Sequence, residues 1–202
     1  MKLYYSPGAC SLSPHIVLHE AGLVFTPVLA STKSHKLQDG TDFYTINPLG
    51  YVPVLELDDG TRLFEGPAIV QYLADQAPHK NLAPANGTLP RYRLQQWLNF
   101  ISTEIHKGFS PLFKPNTPEE YKAIARQNLL GRLQWLDGEL AGRDWLVGEH
   151  FSVADAYLFT VTNWAQHVGL DISGLQHLAA YRQRIAARPA VQAAMQAEGL
   201  LK

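Results

Sequence analysis

The chain has 202 residues with 17 Lys and Arg against 18 Asp and Glu, a formal net charge of -1, and 46% of it is hydrophobic while only 17% is charged. That is enough apolar material for one large or two small packed domains, and too little charge of one sign for a disordered chain. The balance also excludes a broad electrostatic footprint for nucleic acid or an anionic membrane surface, and no uninterrupted apolar stretch reaches the length needed to span a bilayer.

Lys2 to Tyr5 reads as a short strand, entered with no secretory apolar region before it. Pro7-Gly8 turns the chain, and Ser11 to Ala21 has the Leu12, Ile16, Val17 spacing of an amphipathic helix that Gly22 stops. Phe25 to Ala30 reads as a second strand, and residues 31 to 50 as a polar, irregular stretch with room for one helical turn. Val52 to Leu57 and Arg62 to Phe64 flank Asp58-Asp59-Gly60, a hairpin signal. Gly66-Pro67 then opens a helix through Ile69, Val70 and Leu73, with Pro where its missing N–H costs little. The order βαβ then ββα predicts a four-stranded mixed sheet with helices on its faces.

Residues 78 to 90, with Pro78, Pro84, Asn86, Gly87 and Pro90, are the linker candidate. After them the spacing is helical throughout: Leu94 to Leu112, Leu129 to Leu140, and Leu175 to Ile185. Val153 to Val168 is apolar nearly all round, the pattern of a central buried helix, and Ser152-Val153-Ala154-Asp155 is a capping-box variant at its start. The expected domains are therefore 1–79, a linker at 80–90, and an all-helical domain over 91–202.

Cys10 is the one cysteine. It rules out an intrachain disulfide and fits a reducing, cytoplasmic compartment. Set after a strand and a Pro-Gly turn, at a helix start, it is either a buried structural residue or a thiol whose ionisation the helix N-terminus favours. Cys10-Ser11-Leu12-Ser13 is a C-x-x-S, so a small thiol could be held covalently with no second cysteine to resolve it. Val52-Pro53 is either an ordinary trans turn or a cis bond that turns the Val52 main chain toward an extended peptide. Glu65-Gly66, just before a helix, suits either simple capping or the two ends of an α-amino acid. At 100° per residue Asn99, Thr103, His106 and Ser110 form one uncharged polar stripe, either a mixed surface or the wall of a polar cleft, with Lys107 beside it. The remaining histidines have no ligand spacing for zinc, and neither a phosphate loop nor a G-x-S-x-G elbow occurs.

Tyr5 to Ser11, Asn47-Pro48, Val52 to Leu55, Glu65 to Ile69, His106 to Phe109 and Phe151 to Ala156, in this order, resemble the cytosolic glutathione transferases, most closely the bacterial beta class. The resemblance covers essentially the whole chain. It implies a thioredoxin-like N-terminal domain and an all-α C-terminal domain, with glutathione as co-substrate and no metal. By that resemblance Cys10 and His106 are catalytic, with Cys10 able to form a mixed disulfide with glutathione. Val52, next to a cis Pro53, pairs with the cysteinyl part; Glu65 and Gly66 hold the γ-glutamyl end; Lys36 or His35 takes the glycine carboxylate where the family often has Lys. His106 and Lys107 lie near the sulfur, where with the first helix they add positive potential. A small electrophile sits between the domains beside Phe109, Leu112, Phe113 and Trp164. The family's homodimer implies that Asn99, Thr103 and Glu104 serve the partner's site. A glutathione-dependent disulfide reductase, dehalogenase or isomerase, and a non-catalytic ligand-binding protein, are the rival functions on the same scaffold.

Overall fold

The computed structural model describes residues 1–201. It divides into two compact units, one of Met1–Ala83 with the segment from Arg188 onward, the other Pro84–Ala187.

The first unit is built on a four-stranded sheet in the order β2-β1-β3-β4, formed by β1 (Lys2–Tyr5), β2 (Thr26–Leu29), β3 (Val54–Glu56) and β4 (Arg62–Leu63). β1 and β2 are parallel, in register Leu3 to Pro27; β1 and β3 are antiparallel, Leu3 to Leu55, as are β3 and β4, Leu55 to Leu63. Pro27 is tolerated because β2 is an edge, where its absent N–H interrupts no inner ladder. β3 begins one residue after Pro53 rather than at Val52, since proline cannot donate to the ladder.

α1 (Leu12–Ala21) buries Leu12, Ile16, Val17 and Leu18 completely or nearly so, and ends at Gly22 with φ 68°, the left-handed cap that a residue lacking Cβ adopts without penalty. α2 (Gly66–Gln76) packs against α1 through the first unit's core. Residues 31–50 hold one short 3₁₀ turn, Phe43–Thr45, whose Asp42 side chain accepts from the Tyr44 N–H. The C-terminal helix, α8 below, packs on α1 in this unit. The sequence grouping of that segment with the preceding helices is corrected accordingly: Val191 and Ala194 are buried here, and the Arg188 guanidinium donates to both oxygens of Glu20 on α1, at 2.6 and 2.9 Å.

The second unit contains α3 (Leu89–Phe100), α4 (Lys107–Phe113), α5 (Glu119–Glu139), α6 (Val153–Thr162) and α7 (Gln176–Ala186), and α8 (Pro189–Ala197) follows in the chain. Two elements differ from their periodicity. The stretch read as one helix through Leu112 changes winding over Ile101–His106, a π-helical segment in which the Lys107 N–H reaches back to the Ser102 carbonyl. The apolar run to Val168 winds as α6 only to Thr162 and then tightens into a 3₁₀ turn, Asn163–Val168. Thr160 and Thr162 donate back to the Ala156 and Leu158 carbonyls just before that change, the kind of competing bond that bends helices.

α6 is buried along its entire length, so its N-terminal groups must be satisfied internally. Asp155 does this: its carboxylate accepts from the Ser152 N–H and hydroxyl, the Leu146 N–H and the Tyr181 hydroxyl. Burial pushes the Asp155 carboxyl up from its ordinary value, and these four donors pull it the other way.

Candidate active site

In the first unit three of the sequence motifs converge. The turn Ser6–Ser11 is closed by the Ser11 hydroxyl, which accepts from the Ser6 N–H at 3.1 Å and donates to the Ser6 carbonyl at 3.2 Å. That turn places half-buried Cys10 one residue before the N-cap of α1, and its thiol donates to the Val52 carbonyl, Sγ to O 3.1 Å. The Val52–Pro53 bond is cis. Gly66, the first residue of α2, lies over the Pro53 ring; a Cβ added there would meet Pro53 at 3.9 Å, an ordinary contact.

Glu65 precedes it with φ 65°, a left-handed conformation that a residue with a Cβ adopts only under constraint. Its carbonyl accepts from Ala68 and Ile69, while its exposed carboxylate makes no capping bond. Simple capping is therefore not what this side chain does; it is an exposed carboxylate directly before the Gly66 N–H.

His35 and Lys36 are not drawn into that cluster. His35, also left-handed at φ 52°, lies against Tyr44 with ring centroids 4.7 Å apart, and its buried Nδ1 has no hydrogen-bond partner. Lys36 is exposed on the same loop.

A further support of the Cys10 turn has no counterpart in the motif reading. Glu198, at the end of α8, accepts from the Gly8 N–H at 2.9 Å through one oxygen and lies 2.8 Å from His15 Nδ1 through the other. All but sealed from water, this carboxylate ties the turn to α1. A lone acidic residue closing an apolar helix was the available signal.

In the second unit the proposed stripe is split by the π-helical segment, because an extra residue per turn breaks the 100° step between Thr103 and Ser110. Asn99 and Thr103 remain together and exposed, the Thr103 hydroxyl donating to the Asn99 carbonyl. Thr103, Glu104 and Lys107 line a cavity of about 330 Å³ against α5, where Glu104 is paired with Arg132 at 2.8 Å.

His106 turns to a different face. Its Nδ1 lies 2.6 Å from the hydroxyl of Tyr157, a buried residue of α6, and its ring packs T-shaped with Trp164, centroids 4.8 Å apart. Phe109 and Phe113 each pack edge-on to Trp164 at 5.8 Å. Phe109 is fully buried and backs this aromatic group, so the exposed surface belongs to Phe113, with Leu112 half-buried beside it.

Burial, with the charge of Lys107 alongside, pulls His106 down to about 4. The ring is therefore neutral at physiological pH, and the expected positive potential from His106 is corrected to an uncharged imidazole. Among the described residues no cluster of His, Cys, Asp or Glu could hold a metal ion, and no helix is long and apolar enough to cross a membrane.

Comparison with known proteins decides the lineage. Residues 8–76 match the family model for the glutathione S-transferase N-terminal domain, and residues 100–189 that for the C-terminal domain. Over 200 residues the chain is 52% identical to glutathione S-transferase GstA of Escherichia coli O157:H7, covering 99% of this chain and 100% of that one. The chain belongs to the glutathione S-transferase family.

Among solved structures, the transferase is similar to the bacterial beta class glutathione S-transferase of Sphingomonas chungbukensis, with a TM-score of 0.97 at 50% identity over the whole of both chains. A sphingomonad glutathione S-transferase complexed with glutathione gives 0.96 at 51% identity, again over both whole chains. The thioredoxin-like fold of its first unit and the helical fold of its second are those of the family.

Proposed function

We propose that the transferase binds glutathione in extended form along the first unit and presents its sulfur, as the thiolate, to a hydrophobic electrophile. The Val52 main chain beside cis Pro53 pairs with the cysteinyl part, and Glu65 with the Gly66 N–H takes the ammonium and carboxylate of the γ-glutamyl end. His35 and Lys36 offer the polar and cationic side of their loop to the glycine carboxylate. The observation that carries the reading is that Cys10 contacts the Val52 carbonyl while the adjoining cis Pro53 meets Gly66, next in the chain to the strained Glu65.

On the second unit, His106 acts as a catalytic group that is neutral and hydrogen-bonding, and Lys107 beside it supplies the charge. Phe113, Leu112 and the Trp164 edge, backed by Phe109, form an apolar surface suited to aromatic acceptors. Asn99, Thr103 and Glu104 contribute to the site of a second subunit in a homodimer, consistent with the half-exposed Trp135 that packs with Trp97 and Phe100 on this side of the helices.

Cys10 adds a second capacity. Its thiolate attacks one sulfur of glutathione disulfide, a mixed disulfide forms, and the other glutathione leaves as its thiolate. In the present geometry the sulfur is held as a thiol donor by Val52, an interaction a thiolate cannot make, so ionisation frees that carbonyl for the peptide. Cys10→Ala, assayed separately for aryl halide conjugation and disulfide reduction, tests the division of labour. Conjugation should persist at reduced rate while disulfide reduction is lost; undiminished disulfide reduction would refute covalent participation by Cys10.

A further inference from the structure

The 2.6 Å contact between Tyr157 and His106 fixes more than a position. Hydroxyl and ring nitrogen are within hydrogen-bond distance, and their relative acidities decide which of them donates. A phenol O–H is a stronger acid than a neutral imidazole N–H, and the ring's sp² nitrogen is the better acceptor. We infer that Tyr157 is a positioning residue whose hydroxyl donates to His106 Nδ1 and so holds the ring as the tautomer carrying its proton on Nε2.

This rests on the reading above that His106 is catalytic, and it names what the ring offers: a neutral N–H donor, not a base. A donor aimed at a sulfur that gains negative charge stabilises the transition state without a proton changing hands. The opposite tautomer would present an Nε2 lone pair to the same anion. Two further features hold the ring to one orientation. Trp164 packs T-shaped with it, centroids 4.8 Å apart, and Tyr157 itself is immobilised, since α6 is buried throughout and anchored by the four donors to Asp155. The capping of α6 thereby reaches His106 through a single hydroxyl.

The test is a long-range ¹H–¹⁵N spectrum of protein labelled at histidine, recorded with glutathione bound, with His106→Gln assigning the His106 signals and Tyr157→Phe as the probe. The wild type should show His106 purely as the Nε2–H tautomer. Tyr157→Phe should show both tautomers and lose kcat by about 10- to 100-fold, the scale seen when a histidine loses the partner that orients it, with KM for glutathione little changed. A wild-type spectrum with the proton on Nδ1 overturns the inference whether or not Tyr157→Phe folds. So does a Tyr157→Phe protein that keeps a single Nε2–H tautomer and full turnover. If His106→Gln is as active as the wild type, the catalytic role of His106 falls first, and the inference falls with it.

Discussion

At the residue scale, His106 and Glu65 each hold a form that folding alone would not choose. His106 is held neutral by burial, so below its ordinary value of 6.5 the unfolded chain takes up a proton that the folded protein refuses. Stability therefore falls as pH drops from 6.5 and stops falling near 4, by about 3 kcal/mol at most. Urea unfolding of wild type and His106→Gln at pH 7 and pH 4 should show the variant losing markedly less stability over that interval; equal losses would mean that the ring charges freely in the folded state. Glu65 holds a left-handed backbone against its Cβ. Glu65→Gly should raise stability by about 1 kcal/mol while weakening glutathione binding at least roughly tenfold, because relief of strain and loss of a charge-assisted contact have opposite signs. Titration calorimetry beside thermal unfolding would separate the two, and a variant that binds normally would remove Glu65 from the glutathione site. Cys10, Val52-Pro53 and Glu65-Gly66 were legible in the sequence because each is a residue type with a narrow set of structural uses. Tyr157 was not, since an aromatic in an apolar helix looks like core until the partner of its hydroxyl is seen.

At the scale of elements, the strands and helices of the first unit follow from period and punctuation: alternation, a Pro-Gly turn, Gly22, and the Asp-Gly hairpin, whose Gly60 takes φ 85°. What periodicity could not show is a change of winding. The π-helical segment has the same residues a straight helix would have, and only tertiary packing of Ile101 and Ile105, both fully buried, settles how many residues the turn takes. The same holds for the passage from α6 into its 3₁₀ extension. The capping box at Ser152, by contrast, was visible as a spacing, and the structure enlarges its meaning. Asp155 caps the helix and also receives Leu146 and Tyr181, so Ser152→Ala should cost about 1 kcal/mol, the ordinary value of an N-cap. Asp155→Ala should cost about 3–5 kcal/mol, because it strands buried donors on three elements at once. Chemical denaturation of the two variants gives the comparison, and near-equal losses would show that the contacts to Leu146 and Tyr181 contribute nothing.

At the scale of the whole molecule, the sequence suggested a division at the proline-rich stretch and assigned everything after it to one helical domain. Contacts that close a unit across more than 160 residues leave no local pattern, which is why the return of α8 to the first unit was invisible. Its physical consequence is concentrated in Glu198. One oxygen receives Gly8, two residues before Cys10, and the other engages His15 in the middle of α1, all within a site almost closed to water. Removing that carboxylate takes an acceptor from the part-buried Gly8 N–H and a partner from the buried His15 nitrogen, the second alone a loss of about 1–3 kcal/mol. Glu198→Ala should therefore lower stability by several times what an exposed substitution does, and it should also loosen the turn that presents the thiol. The second effect is separable from the first. Well below the unfolding transition, Cys10 in the variant should react faster with a neutral maleimide, because its hydrogen bond to the Val52 carbonyl depends on that turn holding its shape. Glu198→Gln keeps one acceptor for Gly8 and should restore most of the wild-type reactivity while recovering only part of the stability. If both variants label at the wild-type rate, α8 merely covers a hydrophobic face, and the turn bearing Cys10 holds its shape without Glu198.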